Sequence, residues 1–505
     1  MNYLNAKSAP AREDRLKTNI AFGGTHAKIK ECLARDCFGN GEGCLNNADR
    51  SFSQTYGCQF ILSLAALNTL RNAVVVMHAP LGCGMCTLNF IGVNKMFKQL
   101  RDPNTESVIW LSTNLDEADV IGGGERKLRE AVLYADKEFR PKTIVVANGC
   151  VPALIGDDID SILGELQEQT AAVLMPVHCE GFKTKVMATA YDAVYHGILK
   201  NYVRPPERER YIVGHELEEM ERQYKISRNV NIMNVYSMSR PDELELERML
   251  TAIGLNVRFI PSYAHPDDFS YALETSLNVS VCATHDDYFM EHIKEKYNIP
   301  FHIDTIPIGR KNTARWVTGI AKKFGLEKEA RRFIAEEDRI LDESLGKYRK
   351  LLKGTKVFLA GGEVRIFATM EVLHDLGMEV VGLKAHHFDK YIESTFDALE
   401  NTDDIVVSVA TNQPSEQVNM VKRLKPDLLI THTGGNNIAA KLGVPIFPLF
   451  GQAYNYMGYS GIFEIARRIN RILRNRQFNK NLTENTPLPY KKEWYDKDPF
   501  TYIKR

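Results

Sequence analysis

Residues 74–83 read VVVMHAPLGC and residues 143–150 read TIVVANGC. Each is a short continuous run of β-branched and apolar residues, as a buried strand requires, running into a glycine-containing turn that ends on a cysteine. Working outward, SVIWLS (107–112) and AVLMPV (172–177) are further buried-strand candidates, with amphipathic helix-length segments such as ERKLREAVLYADKEF (125–139) between them. The pattern restarts at VNIMNVY (230–236), LNVRFI (255–260) and VSVCA (279–283). It restarts again at KVFLAGG (356–362), EVVGLKA (379–385), DIVVSVA (404–410) and DLLITHT (427–433). Strand–helix alternation of this kind predicts an α/β fold of parallel sheets with crossover helices.

Two interruptions divide the pattern. RPPERER (204–210) is a charged, proline-containing turn, and residues 321–353 are a charged helical stretch without a strand. The expected organisation is an N-terminal arm (1–50) followed by three Rossmann-like domains at 51–225, 226–355 (including the bridging helices) and 356–505 with a C-terminal tail.

A chain of 505 residues is too long for one hydrophobic core. Lys+Arg and Asp+Glu balance at 64 each, so no polyanion-attracting field is evident and nucleic acid is a poor partner. The opening MNYLNAKSAPAREDRLKTN has no apolar signal core, and no apolar run approaches the ~20 residues that span a bilayer. A cytoplasmic protein without a membrane partner is expected. In that compartment the nine cysteines are core residues, catalytic thiols or metal ligands rather than disulfides.

In open parallel sheets ligands gather beyond the carboxyl ends of the strands. Cys83 and Cys150 follow two such ends, and Cys58, in YGCQF, precedes the helix-like run ILSLAALNTL. Adjacent glycines (Gly57, Gly82, Gly84, Gly149) allow the backbone close to a bulky ligand. Three thiolates on separate loops could bind half of a cluster shared between subunits; three buried small hydrophobes is the alternative. Cys83 and Cys86 form a single CxxC, a weak signal. Cys282 ends VSVCA before THDDYF, a possible helix start, and by itself reads as a core cysteine, as does Cys179. Cys32, Cys37 and Cys44 cluster in the arm without completing a familiar ligand spacing.

HAPLGC (78–83), STNLDEADVIGGGERKL (112–128), CVPALIGDDID (150–160), PVHCEGF (176–182), DLGMEVVG (375–382) and RLKPDLLI (423–430) together resemble the nitrogenase component-1 superfamily, from about residue 50 to the last residues. That superfamily includes dinitrogenase, the cofactor-assembly scaffold, dark-operative protochlorophyllide reductase and the methylthio-alkane reductases. The resemblance implies three Rossmann-like domains. It places Cys58, Cys83 and Cys150 on the α-side ligands of an interfacial P-cluster shared with a β-type subunit. SLNVSVCATHDDYF puts Cys282 where a large catalytic iron–sulfur cofactor takes its cysteine ligand, which argues against the protochlorophyllide branch.

The sequence departs from dinitrogenase in ways the resemblance makes informative. FPLFGQAYNYMGYSG (447–461) contains no histidine, so the second cofactor ligand is missing there. Met187 and Tyr191 fall near the positions of the substrate-side glutamine and histidine, and Ile91 near that of an arginine. A more apolar pocket suits a thioether better than dinitrogen; ordinary helix-face core residues are the other reading of Met187 and Tyr191. His386 and His387, in LKAHHFDKY, are candidates for the replacement ligand, or else exposed loop histidines. Arg365 could offset cluster charge or serve a structural ion pair.

The resemblance further implies an α2β2 assembly and a separate ATP-dependent iron-protein reductase. ATP would bind only that reductase, since no GxxxxGK[ST] loop is present. The expected function is the catalytic α subunit of a methylthio-alkane reductase, cleaving C–S bonds of small thioethers. A cofactor-assembly scaffold subunit and a dinitrogenase-like α subunit are the alternatives.

Overall fold

The computed structural model describes residues 5–16, 18–34, 49–50, 58–85, 98–105, 108–204, 216–234, 238–392, 401–410, 413–431, 437–451 and 453–504. The arm contributes β1 (Ala21–Thr25) and β2 (Asp49–Arg50). Three larger groups of strands follow: β3 (Ala73–His78), β4 (Ile109–Ser112), β5 (Thr143–Asn148) and β6 (Val173–His178); then β7 (Asn229–Asn234), β8 (Asn256–Pro261), β9 (Leu277–Ser280) and β10 (Phe301–His302); then β11 (Lys356–Gly361), β12 (Glu379–Ala385), β13 (Val406–Ala410), β14 (Leu428–Thr431) and β15 (Ile446–Pro448). β16 (Ile503–Lys504) pairs antiparallel with β2.

The three main sheets run β4-β3-β5-β6, β10-β9-β7-β8 and β1-β13-β12-β11-β14-β15. Every pairing in them is parallel except β1 on β13, which is antiparallel. The α/β class and the parallel, helix-flanked sheets expected from the strand–helix alternation are therefore present.

The chain divides into two compact units. One comprises Met1–Arg12, Gly57–Ser237 and Leu255–Ile303 and holds the first two sheets. The other comprises Glu13–Tyr56, Met238–Gly254 and Asp304–Arg505 and holds the third.

Local sequence explains the elements. All six residues of β3 and of β5 are buried, as their unbroken apolar runs require. The helix Glu125–Phe139 buries Leu128, Val132 and Ala135, spaced four and three apart on one face, against Val74, Val76, Ile144 and Val146. Each large aliphatic side chain so buried contributes roughly 1.5–3 kcal/mol. The helix Arg240–Thr251 starts on a capping box of Ser239 and Asp242 with proline in its first turn. The charged helical stretch over 321–353 belongs to two helices, Arg310–Phe324 and Glu327–Leu352. Gly325, at φ 68°, caps the first of them. Gly197 brings the helix Thr189–Asn201 down on β6, for a side chain there would meet the Pro176 carbonyl at 3.1 Å.

In each sheet the strand order reverses at one place: beside β3, beside β7 and beside β11. Such switch points open a crevice at the carboxyl ends of the diverging strands. Cys83 and Cys150 follow β3 and β5, Cys282 follows β9, and Arg365 and His386 follow β11 and β12.

Candidate functional site

Cys58 is the N-cap of the helix Gln59–Leu67, and Cys150 is the first residue of the helix Cys150–Ile155. Cys83 lies in the short helix Leu81–Met85 after β3. Cys58 and Cys150 are half-buried and Cys83 is exposed. Gly181 shows that two of these thiols converge. A methyl group on its Cα would lie 3.1 Å from Cys58 Sγ and 3.5 Å from Cys150 Sγ, so the sulfurs are no farther apart than those distances combined. The space between them exists because residue 181 has no side chain. Among the described residues no group of three or more His, Cys, Asp or Glu side chains could hold a single metal ion. Two thiols facing one gap, with a third on the loop of the adjacent strand, fit a polynuclear group spanning the edge.

Cys179 differs from these three. It is fully buried, its thiol donates to the carbonyls of Val177 and Asn148, and burial pushes it well above the usual thiol range. It is a core cysteine.

Strand register lines up His78, Asn148 and His178 as neighbours at the ends of β3, β5 and β6. His78 is held between Thr113 Oγ1 (3.2 Å) and Asp157 Oδ2 (2.9 Å), and Asp157 accepts from Gly124 N. His178 is held between Asp160 Oδ2 (2.8 Å) and Glu180 Oε1 (3.3 Å). Glu180 is fully buried, accepts from Asn148 Nδ2 at 2.8 Å and pairs with Lys183 at 2.9 Å. Burial opposes ionisation of Glu180, yet His178 and Lys183 outweigh it and hold the carboxyl at about 2. The run LIGDDID thus does more than start the helix Ile159–Gln167, since Asp157 and Asp160 each hold a strand-end histidine.

The second thiol site is enclosed. Cys282 is 2% exposed and is itself the N-cap of the helix Ala283–Tyr297, lying two residues beyond β9 rather than within it. Its backbone is fixed by Asp286, whose Oδ2 accepts from Ser280 Oγ at 2.8 Å and Cys282 N at 3.4 Å, while Oδ1 accepts from Tyr195 Oη at 3.2 Å. Burial pushes Asp286 up to about 7. Tyr191 is buried with its ring centroid 3.9 Å from that of His285, and Met187 lies half-buried just before the same helix, Thr189–Asn201.

Arg12 anchors the N-terminal segment of this unit. Fully buried, its guanidinium meets Asp287 at 2.9 Å and Asp192 at 3.8 Å, and its amide donates to Thr189 Oγ1 at 3.0 Å.

Arg365, His386 and His387 belong to the other compact unit. Arg365 is buried, in the first turn of the helix Glu363–Asp375, and its Nε donates to Tyr456 Oη at 3.1 Å. The two histidines differ. His386 is exposed, whereas His387 is buried with Nε2 3.3 Å from Glu363 and 3.8 Å from Asp389. The reading of both as exposed loop histidines is corrected for His387, which is drawn inward by two buried carboxylates. Tyr456, from the segment that lacks a histidine, is fully buried, and Asp242 Oδ1 accepts from the backbone amides of Tyr456 and Met457. Cys32, Cys37, Cys44, Cys86 and Ile91 lie outside the residues whose side chains are described.

Parallel α/β sheets that put Cys83 and Cys150 at the carboxyl edge of the first sheet and Cys282 beyond β9 of the second give a scaffold on which iron–sulfur groups can be held. Residues 58–474 match the family described as nitrogenase component 1 type oxidoreductase, and the chain belongs to that family. It is 27% identical over 462 residues to the nitrogenase iron-molybdenum cofactor biosynthesis protein NifE of Rippkaea orientalis, an alignment spanning 88% of this chain and 92% of that one. It is 26% identical over 358 residues to the nitrogenase molybdenum-iron protein alpha chain of Methanosarcina barkeri, spanning 69% and 62%. The solved structure described as nitrogenase Cp1 at pH 5 shares the fold at a TM-score of 0.68 and 21% identity, covering 87% of this chain and 92% of that one. No helix among the described residues is long and apolar enough to cross a membrane.

Proposed function

We propose that this chain is the catalytic α-type subunit of a two-component, nitrogenase-like reductase that cleaves C–S bonds of small thioethers, as a methylthio-alkane reductase does. The observation that supports it is the pairing of two unlike thiol sites on one chain. One is an open edge with Cys58, Cys83 and Cys150; the other is the enclosed Cys282. Electron entry at a subunit face and chemistry in an enclosed site need such a division.

Cys58, Cys83 and Cys150 would hold a P-cluster-type group shared with a β-type subunit. Exposed apolar side chains support burial of this edge under a partner: Leu81 and Met85 after β3, Leu154 after β5 and Phe182 after β6 are each more than half exposed. Cys282 would hold the large iron–sulfur cofactor. His386 or His387 would be its second ligand. Arg365 would balance charge. Bound there, the cofactor would supply low-potential electrons and soft iron sites. Met187 and the Tyr191 ring would give that site an apolar, polarisable wall, and the Tyr191 hydroxyl and His285 ring would offer places to hold a proton. The overall change adds two electrons and two protons to R–S–CH3, breaking the R–S bond and giving R–H and methanethiol. ATP would act on the partner reductase, in an α2β2 complex in the cytoplasm. The division at 51–225, 226–355 and 356–505 remains our proposed domain scheme.

The test is turnover of ethyl methyl sulfide by the anaerobic complex with its reductase and ATP. Methanethiol and hydrocarbon release is expected. Full iron content without either product would remove the thioether assignment. A cofactor-assembly scaffold is the second reading, favoured by the near full-length match to NifE proteins. Iron transfer to an apo-dinitrogenase without turnover would establish it, and acetylene reduction would point to a dinitrogenase-like subunit.

A further inference from the structure

The strand-end row His78, Asn148, His178 lies at the same carboxyl edge as the thiols. Asn148 is two residues before Cys150, and Glu180 immediately precedes Gly181, which lies against Cys58 and Cys150. The two histidines are not equivalent. His78 faces one carboxylate, Asp157, and one hydroxyl; burial dominates and lowers its affinity for a proton, so it stays neutral. His178 bridges two carboxylates, the fully buried Glu180 and the partly exposed Asp160, one on each ring nitrogen. Burial opposes its charge too, but the two carboxylates outweigh it and raise its pKa above the ordinary 6.5. An imidazole so placed can take a proton at Nε2 on the Asp160 side and present one at Nδ1 on the Glu180 side.

We propose that His178, clamped between Asp160 and Glu180, is a proton-holding residue that couples the redox state of the Cys58/Cys83/Cys150 site to solvent pH. This rests on the reading of that site as an iron–sulfur centre. When the centre gains one electron from an external one-electron reductant, its added negative charge favours the imidazolium. His178 then takes one proton from solvent by way of Asp160, leaving the net charge of the region unchanged. Other charged groups set the baseline: Lys183 on Glu180, Lys7 and Lys200 near Asp160, and His196 on the helix packed against β6. The fully buried Glu180 keeps its charge and does not itself need to titrate.

The readout is the midpoint potential of the edge centre, followed by electron paramagnetic resonance in the anaerobic complex from pH 6 to 9. Across the interval between the oxidised- and reduced-state pKa values of His178, the potential should fall by about 59 mV for each tenfold drop in proton activity. His178→Gln should give a flat profile. Asp160→Asn should move the sloping interval to lower pH, because one carboxylate fewer supports the charge. A merely structural role would not shift it. His78→Gln should leave the slope unchanged. A flat wild-type profile, or a slope that persists in His178→Gln, overturns the proposal while leaving the centre in place. Absence of any signal that responds to Cys58→Ala or Cys150→Ala overturns the underlying reading as well.

Discussion

Replacing Gly181 by alanine puts a methyl group into the gap that two thiols share. The new carbon would lie 3.0 Å from Cys58 Cβ and 3.1 Å from Cys58 Sγ. Non-bonded carbons settle at ~3.5–4.0 Å, so the contact is short by about 0.5 Å. The backbone does not forbid the change, since Gly181 is not among the positive-φ glycines. The strain therefore falls on packing. Cys58 cannot retreat freely, because its carbonyl already accepts from Leu62 N in the first turn of its helix. Overpacking of this kind costs about 1–3 kcal/mol, equivalent to roughly 5–150-fold in the population that presents both sulfurs correctly. Iron bound per chain, with the spectroscopic signal of the edge centre, should fall accordingly under limiting iron. Gly164→Ala is the matched control: it sits in the exposed part of the helix Ile159–Gln167 with open space around it, and should gain about 0.5–1 kcal/mol. Full iron content, an unchanged signal and unchanged thermal stability in Gly181→Ala would refute the reasoning.

Arg12→Ala strands Asp287 and Asp192 in the interior and should cost about 3–5 kcal/mol; chemical denaturation measures it, and a loss below 1 kcal/mol would show that the pair is dispensable. His196 is held down to about 4, first by burial and then by Lys200, while its ring sits between Tyr288 Oη and the Ala6 carbonyl. The unfolded chain therefore protonates first as pH falls from 6.5 to 4, and stability should drop across that window. His196→Gln should blunt the drop, and an identical pH profile would assign acid lability elsewhere. Cys282→Ala should remove the enclosed cofactor's signal but leave that of the edge centre; joint loss of both would contradict two independent thiol sites.

The sequence carried the strand–helix rhythm because strands such as β3 and β5 are buried on both faces and their apolar runs are unbroken. EVVGLKA and ERKLREAVLYADKEF correspond residue for residue to an observed strand and helix. β1 escaped notice, for AFGGT has little strand propensity and its pairing is decided by the open edge of β13. VSVCA marked a real strand but placed it late, because the helix after it begins on Cys282 itself. The edge thiols were legible from glycine turns after strands; the polar row at the same edge was not. His78, Asn148 and His178 are 70 and 30 residues apart and become neighbours only through parallel register. Arg12 lies in a charged arm, and only the folded chain shows the buried carboxylates that receive it.

Anomalous diffraction at the iron absorption edge from crystals of the anaerobically purified complex would test the assignment of the open sheet edge most directly. Iron peaks bonded to the sulfurs of Cys58, Cys83 and Cys150, with separate iron at Cys282, are expected. Thiols at full occupancy with no iron within bonding distance would contradict it.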